Sequence, residues 1–133
     1  MTLKIQSSKT SVADVEKYVK DIFDRYQIEQ ELFPNILISL TEAVTNAIKH
    51  GNNYDRAKVV RLEAVFSSDK LCCIISDEGQ GFDYLSVPDP TAPENLEKPG
   101  GRGVFLIHQL SDRVQYLENG STVKIEFFIW QLT

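Results

Sequence analysis

Cysteine is scarce in this chain: two among 133 residues, Cys72 and Cys73, and they are neighbours. Adjacent side chains on a strand point to opposite faces, so this pair cannot build the disulfide framework that staples small secreted domains. A vicinal redox pair is the functional alternative, but Leu71, Ile74 and Ile75 around them favour two small core hydrophobes, and a reducing cytoplasm fits. Long apolar runs are also missing. The longest, residues 36–40 interrupted by Ser39 and residues 71–75, fall far short of the roughly 20 residues that span a bilayer, so no membrane segment is expected. No secretion signal is read at the start, where residues 1–5 alternate like a strand. Basic runs are absent: 14 Lys and Arg stand against 19 Asp and Glu, a net charge of −5, which disfavours direct nucleic-acid binding because counterion release needs clustered cations. There are no internal repeats. Neither G-x-x-x-x-G-K-[ST] nor a complete G-x-G-x-x-G occurs, since Tyr84 stands at the third glycine position after Gly79 and Gly81.

What remains is the composition of an ordinary globular domain, 42% hydrophobic and 25% charged. Its length suits a single core burying roughly two-thirds of the unfolded chain's surface. Leu3 and Ile5 read as a first strand. Val15, Tyr18, Val19, Ile22, Phe23 and Tyr26 fall at helical spacing, predicting an amphipathic helix over residues 12–26 with Ser11 as its N-cap. A turn through Pro34 precedes a second helix, residues 35–50, that stops at Gly51. Residues 59–66 and 71–76 read as an antiparallel pair. Residues 77–103 hold five of the seven glycines and four of the five prolines, the composition of a long functional loop. A short helix over residues 104–110, a strand over 113–117, a tight turn at Asn119-Gly120 and a last strand to Gln131 complete the order. This order predicts an α/β (α+β) two-layer sandwich, with helices covering one face of a mixed, mostly antiparallel sheet.

Three features carry chemistry. Glu42, Asn46 and His50 recur every four residues on the second helix, each about 40° round from the last. A solvated polar stripe explains that spacing by itself and is the favoured reading of the spacing alone. A carboxylate and an amide oxygen one turn apart nevertheless supply a base and a hard-oxygen ligand for magnesium. Next, Asp77-Glu-Gly79-Gln-Gly81 ends an apolar strand, placing a carboxylate where the chain leaves the core and two glycines where backbone can approach a ligand. Finally, Gly100, Gly101, Arg102 and Gly103 open an apolar helix beginning at Val104, and free N–H groups at a helix start favour phosphate.

Taken in order, these segments resemble the GHKL (Bergerat-fold) ATPases, and among them the small bacterial anti-sigma-factor serine/threonine kinases. Glu42-Ala-Val-Thr-Asn46-Ala-Ile-Lys-His50-Gly51 resembles the N box, Asp77-Glu-Gly79-Gln-Gly81-Phe82 the first glycine box, and Gly101-Arg-Gly103-Val-Phe-Leu-Ile107 the second. Gly120-Ser121-Thr122-Val123 looks like the closing Gly-Thr element, so the resemblance covers nearly the whole chain. It implies one domain over residues 1–133, with an ATP lid at about residues 82–103. It further implies that Asp77 accepts a hydrogen bond from the adenine amino group with Thr122 in support, that Asn46 holds Mg2+, and that Glu42 is the general base. Gly79 and Gly81 would border the nucleotide, Gly101, Arg102, Gly103 and Val104 would close on the triphosphate, and Lys49 and His50 would lie on its phosphate side. Implied partners are a STAS-type antagonist as phosphoacceptor, a sigma factor, and a second copy meeting this one near the first strand and helix. The alternative is a nucleotide-dependent binding regulator without turnover. Histidine-kinase catalytic domains usually have Asn where this chain has Glu42 and need a phosphoaccepting helical segment. Gyrase-like and chaperone-like ATPases need a further transducer domain.

Overall fold

A computed structural model describes residues 1–8, 12–67, 69–79 and 101–129. Five strands, β1 (Thr2–Gln6), β2 (Val59–Ser67), β3 (Lys70–Ser76), β4 (Arg113–Leu117) and β5 (Thr122–Phe128), form one sheet in the order β1-β2-β3-β5-β4. Every pairing among them is antiparallel. Among the described residues three α-helices, α1 (Ala13–Tyr26), α2 (Phe33–Asn46) and α3 (Gly101–Leu110), complete the expected α+β sandwich.

Alternation along the strands decides which face the helices cover. Val60, Leu62 and Ala64 of β2, Leu71, Cys73 and Ile75 of β3, and Val123, Ile125 and Phe127 of β5 are buried together against Val15, Val19 and Ile22 of α1 and Ile36, Leu40 and Val44 of α2. Only Cys73 lies in this core; Cys72, expected as a second core hydrophobe, sits on the other face in register with Val65 and Glu126, as strand alternation requires of neighbours. That outer face also carries Val59, Val65, Leu117 and Phe128 as exposed apolar side chains. Glu126, buried there, is held by Lys70 and Lys124 at 3.6 and 3.5 Å.

Several boundaries differ from the sequence reading. The second helix begins at Phe33, with Pro34 inside its first turn, where no N–H partner is lost. Ser11 lies outside the described residues. The third helix begins at Gly101 rather than Val104, because its first turn is anchored by packing on α2 that local propensity does not reveal. Asn119 and Gly120 belong to a short 3-10 turn, Glu118–Gly120, in which Glu118 and Gly120 have φ of 51° and 92°. The last strand is paired only to Phe128, and residues 130–133 lie outside the described residues.

The end of α2 positions the site. Beyond Asn46 the helix widens into a π-turn, Ala47–Gly51, closed where the Asn52 N–H donates to the Ala47 carbonyl at 2.8 Å. Single π-turns of this kind re-aim a helix end and are frequent at functional sites. Here the widened turn brings Gly51 against the exit of β3.

Candidate functional site

Leu40, Val44, Ala47 and Ile48 fix the rotation of α2 by burying one stripe, which leaves Glu42 and Asn46 half-buried on the flank beside α3. Gly103, in the first turn of α3, is seated directly on them. A Cβ at Gly103 would lie 2.8 Å from Asn46 Nδ2, 3.0 Å from Glu42 Oε2 and 3.3 Å from Asn46 Oδ1. Only glycine leaves that space open. Val104 and Ile107 are buried behind it and hold the helix start in place.

The second cluster forms where β3 ends. The Asp77 carboxylate accepts the Gly79 N–H at 2.8 Å, and the Asp77 N–H donates to the Ser121 carbonyl at 2.9 Å. A Cβ at Gly51 would fall inside the Asp77 carboxylate, 2.7 Å from Oδ1 and nearer still to Cγ and Oδ2. A Cβ at Gly79 would overlap the Gly51 carbonyl oxygen. Here, then, backbone meets backbone, an approach available only to glycine. Burial pushes the Asp77 carboxyl above its ordinary range, and the Gly79 N–H and the Lys58 charge pull it partly back. Burial, and secondarily Lys49, hold the His50 imidazole below its usual range and favour its neutral form.

The structure therefore brings Glu42, Asn46 and Gly103 together, and separately Gly51, Asp77 and Gly79, on successive turns of one helix end. Lys49 is exposed and His50 half-buried beside them. Gly81 and most of the lid segment lie outside the described residues, as does the side chain of Arg102. Thr122 is placed differently from the sequence reading. Its hydroxyl donates to Ser76 Oγ at 3.2 Å, and the Ser76–Thr122 register puts both on the outer face, opposite Val123 and Ile75. Strand alternation gives Asp77's face to Ser121, its backbone partner, whose hydroxyl donates to the Glu118 carbonyl at 2.8 Å. Ser121 was legible only through register: counting back by twos from Phe127 reaches Ser121, not Thr122.

The donor set suits a magnesium-bound polyphosphate. Asn46 Oδ1 and Glu42 are hard-oxygen donors beside a cradle that a Cβ would fill, and Mg2+ usually takes only one or two protein ligands and completes its shell with phosphate and water. Among the described residues no group of three or more His, Cys, Asp and Glu is arranged as a cage for a metal ion. No helix among them is long and apolar enough to cross a membrane.

The chain is also similar to known proteins. Serine-protein kinase RsbW from Staphylococcus aureus strains JH9, Newman and USA300 is 29% identical over 135 residues, covering 96% of this chain and 85% of the relative. Residues 5–127, from β1 through β5, match the histidine kinase-like ATPase domain, so the α2 end, the exit of β3 and the start of α3 all lie within the match. On that match the chain belongs to the histidine kinase-like ATPase domain family.

Proposed function

We propose that this chain is an ATP- and Mg2+-dependent protein serine/threonine kinase that serves as an anti-sigma factor. In this reading it phosphorylates a small STAS-type antagonist in the cytoplasm and, when unphosphorylated antagonist is absent, holds a sigma factor. The observation that supports the reading is the seat of Gly103 on Glu42 and Asn46, a carboxylate and an amide beside a helix start, groups able to serve as base, metal ligand and anion site. The 29% identity to proteins named serine-protein kinase supplies the substrate class. Residues 1–133 are taken as one ATPase domain with a lid at about residues 82–103.

Bound Mg-ATP would supply the transferable phosphoryl group and neutralise charge on the triphosphate. Glu42 then accepts the proton of the antagonist's hydroxyl as its oxygen bonds the γ-phosphorus and the bond to the β,γ-bridging oxygen breaks, releasing ADP. Asn46 offers its amide oxygen to the metal. The N–H groups of Gly101, Arg102, Gly103 and Val104 offer an anion site at the start of α3, with Lys49 and His50 on the same side. Asp77 accepts from the adenine amino group, Gly79 and Gly81 give the base room, and Ser121 rather than Thr122 stands on Asp77's face. A second copy is proposed to meet this one at the sheet edge near β1 and α1.

Purified protein, Mg2+, γ-labelled ATP and a candidate antagonist test this directly. Label should move to the antagonist, and Glu42→Ala should slow transfer by about 10²- to 10⁴-fold with ATP still bound. Transfer at the wild-type rate would remove Glu42 as base. ATP binding with no transfer to any antagonist would favour the non-catalytic regulator instead.

A further inference from the structure

One buried side chain outside the three motifs ties the adenine end of the site to the sheet. Asn52 is 1% exposed and follows Gly51 directly. Its Nδ2 donates to Ser7 Oγ at 2.7 Å and to the Val59 carbonyl at 3.1 Å, and its Oδ1 accepts the Glu78 N–H at 2.8 Å. Ser7 stands just beyond β1, Val59 opens β2, and Glu78 lies between Asp77 and Gly79. The loop is fastened a second time where the Val59 N–H donates to Glu78 Oε2 at 2.6 Å. Ser7, itself fully buried, is held in turn because its hydroxyl donates to the Lys58 carbonyl at 3.0 Å.

Both hydrogens and the oxygen of the Asn52 amide are therefore committed, in a setting where an unpaired polar group is costly. The backbone of Asn52 is committed as well. Its N–H closes the π-turn on Ala47 and its carbonyl accepts the Asp55 N–H at 3.0 Å. The residue after it, Asn53, and then Tyr54 both have φ in the left-handed region, 52° and 58°, which favours glycine and is unusual for tyrosine. A chain that turns so sharply directly after Asn52 keeps that side chain aimed back at Glu78.

We propose that Asn52 is the positioning residue of the nucleotide site: its amide holds the Glu78 backbone against the π-turn, and so fixes the Asp77 carboxylate and Gly79 beside Gly51. This rests on the nucleotide reading of Asp77 and adds to it the element that sets its aim. Asn52 contacts neither of the candidate phosphate-side groups, Glu42 and Asn46, in any hydrogen bond of the network. Its influence is thus confined to the base end. Discrimination among nucleobases, rather than phosphoryl chemistry, is what it controls.

The test compares wild type with Asn52→Ala and, because a large deletion in a buried network can prevent folding, with the milder Ser7→Ala. ATP and GTP affinities are measured by calorimetry in Mg2+, alongside thermal melts and amide exchange of Glu78 and Gly79. We expect ATP to bind Asn52→Ala about tenfold more weakly and Ser7→Ala a few-fold more weakly. GTP affinity should fall less, so the ATP preference narrows, and the Glu78 amide should exchange faster. A purely structural role would lower the melting temperature of the variants but leave the ATP-to-GTP ratio of the folded protein unchanged, which overturns the proposal. Should wild type bind no adenine nucleotide at all, the nucleotide reading itself falls, a result distinct from a variant that keeps the wild-type ratio.

Discussion

The two ends of the candidate site are built from different materials. At the exit of β3, a Cβ at Gly79 would collide with a backbone carbonyl, and one at Gly51 with a carboxylate that is itself tied to the Gly79 N–H. At the start of α3, the atoms nearest to a Cβ at Gly103 are the far ends of two side chains, Glu42 and Asn46. Backbone can move only by disturbing the sheet and the π-turn, whereas a glutamate or asparagine can change rotamer at a cost of about 1 kcal/mol. The β3 exit, the proposed base end, is consequently rigid, and the start of α3, the proposed phosphate end, is adjustable. That division suits an ATPase: the purine is the same before and after reaction, while the groups around the phosphates must accommodate a changing charge.

The largest effect should come from Gly79→Ala. Its Cβ has no room unless the Gly51 carbonyl moves, so destabilisation of about 1–3 kcal/mol and loss of measurable ATP binding are expected from denaturant melts and calorimetry. A stable, fully binding Gly79→Ala protein would erase the contrast. Gly103→Ala should behave in the opposite way, shifting stability by less than about 1 kcal/mol while displacing Glu42 and Asn46 and reducing phosphoryl transfer by tenfold or more. If it unfolds the protein instead, the phosphate end is as rigid as the base end.

Asp77→Asn separates stability from binding. Burial raises the carboxyl above its unfolded value, so the folded state holds a proton more tightly than the unfolded chain, and the ionised group opposes folding at neutral pH. The amide removes that opposition. The melting temperature at neutral pH should therefore stay level or rise slightly, while ATP affinity falls by roughly 1–3 kcal/mol because the carboxylate oxygen not engaged by the Gly79 N–H becomes an NH2 donor. A fall in both would mean that the carboxylate is mainly structural.

The smallest effect is a pH dependence from His50 and His108, both held below the ordinary value of 6.5 by burial. The unfolded chain binds their protons first, so stability is complete above pH 6.5 and declines as pH falls through that value toward the lowered folded ones. Melts at pH 7.5 and 5.5 should show this decline, and replacing His50 with Gln should remove part of it.

Much of this was readable without coordinates. The apolar periodicities of α1 and α2, the β2–β3 hairpin and the isolation of Cys72 from Cys73 all follow from which residues must leave water. Glu42 and Asn46 were legible because a four-residue spacing on a helix fixes a shared flank. Thr122 was misplaced because a motif gives neighbours in sequence, while a strand gives them alternate faces. Asn52 and Pro34 escape a local reading for related reasons. Asparagine after a helical glycine reads as turn composition, and proline before a helical run reads as a boundary, when one is a buried tie and the other the first turn.

The sequence by itself determined the elements, the helix-covered face of the sheet and the chemical kinds gathered in the three motifs, because period and residue type act within a few residues. Only the tertiary structure decided that Gly51 and Gly79 touch, that Gly103 rests on Glu42 and Asn46, and that Asn52 is shared by Ser7, Val59 and Glu78. Those contacts join residues 26 to 61 positions apart, apart from the local step from Asn52 to Val59. Their occurrence depends on how the sheet register and the π-turn sum in space, which no local pattern encodes.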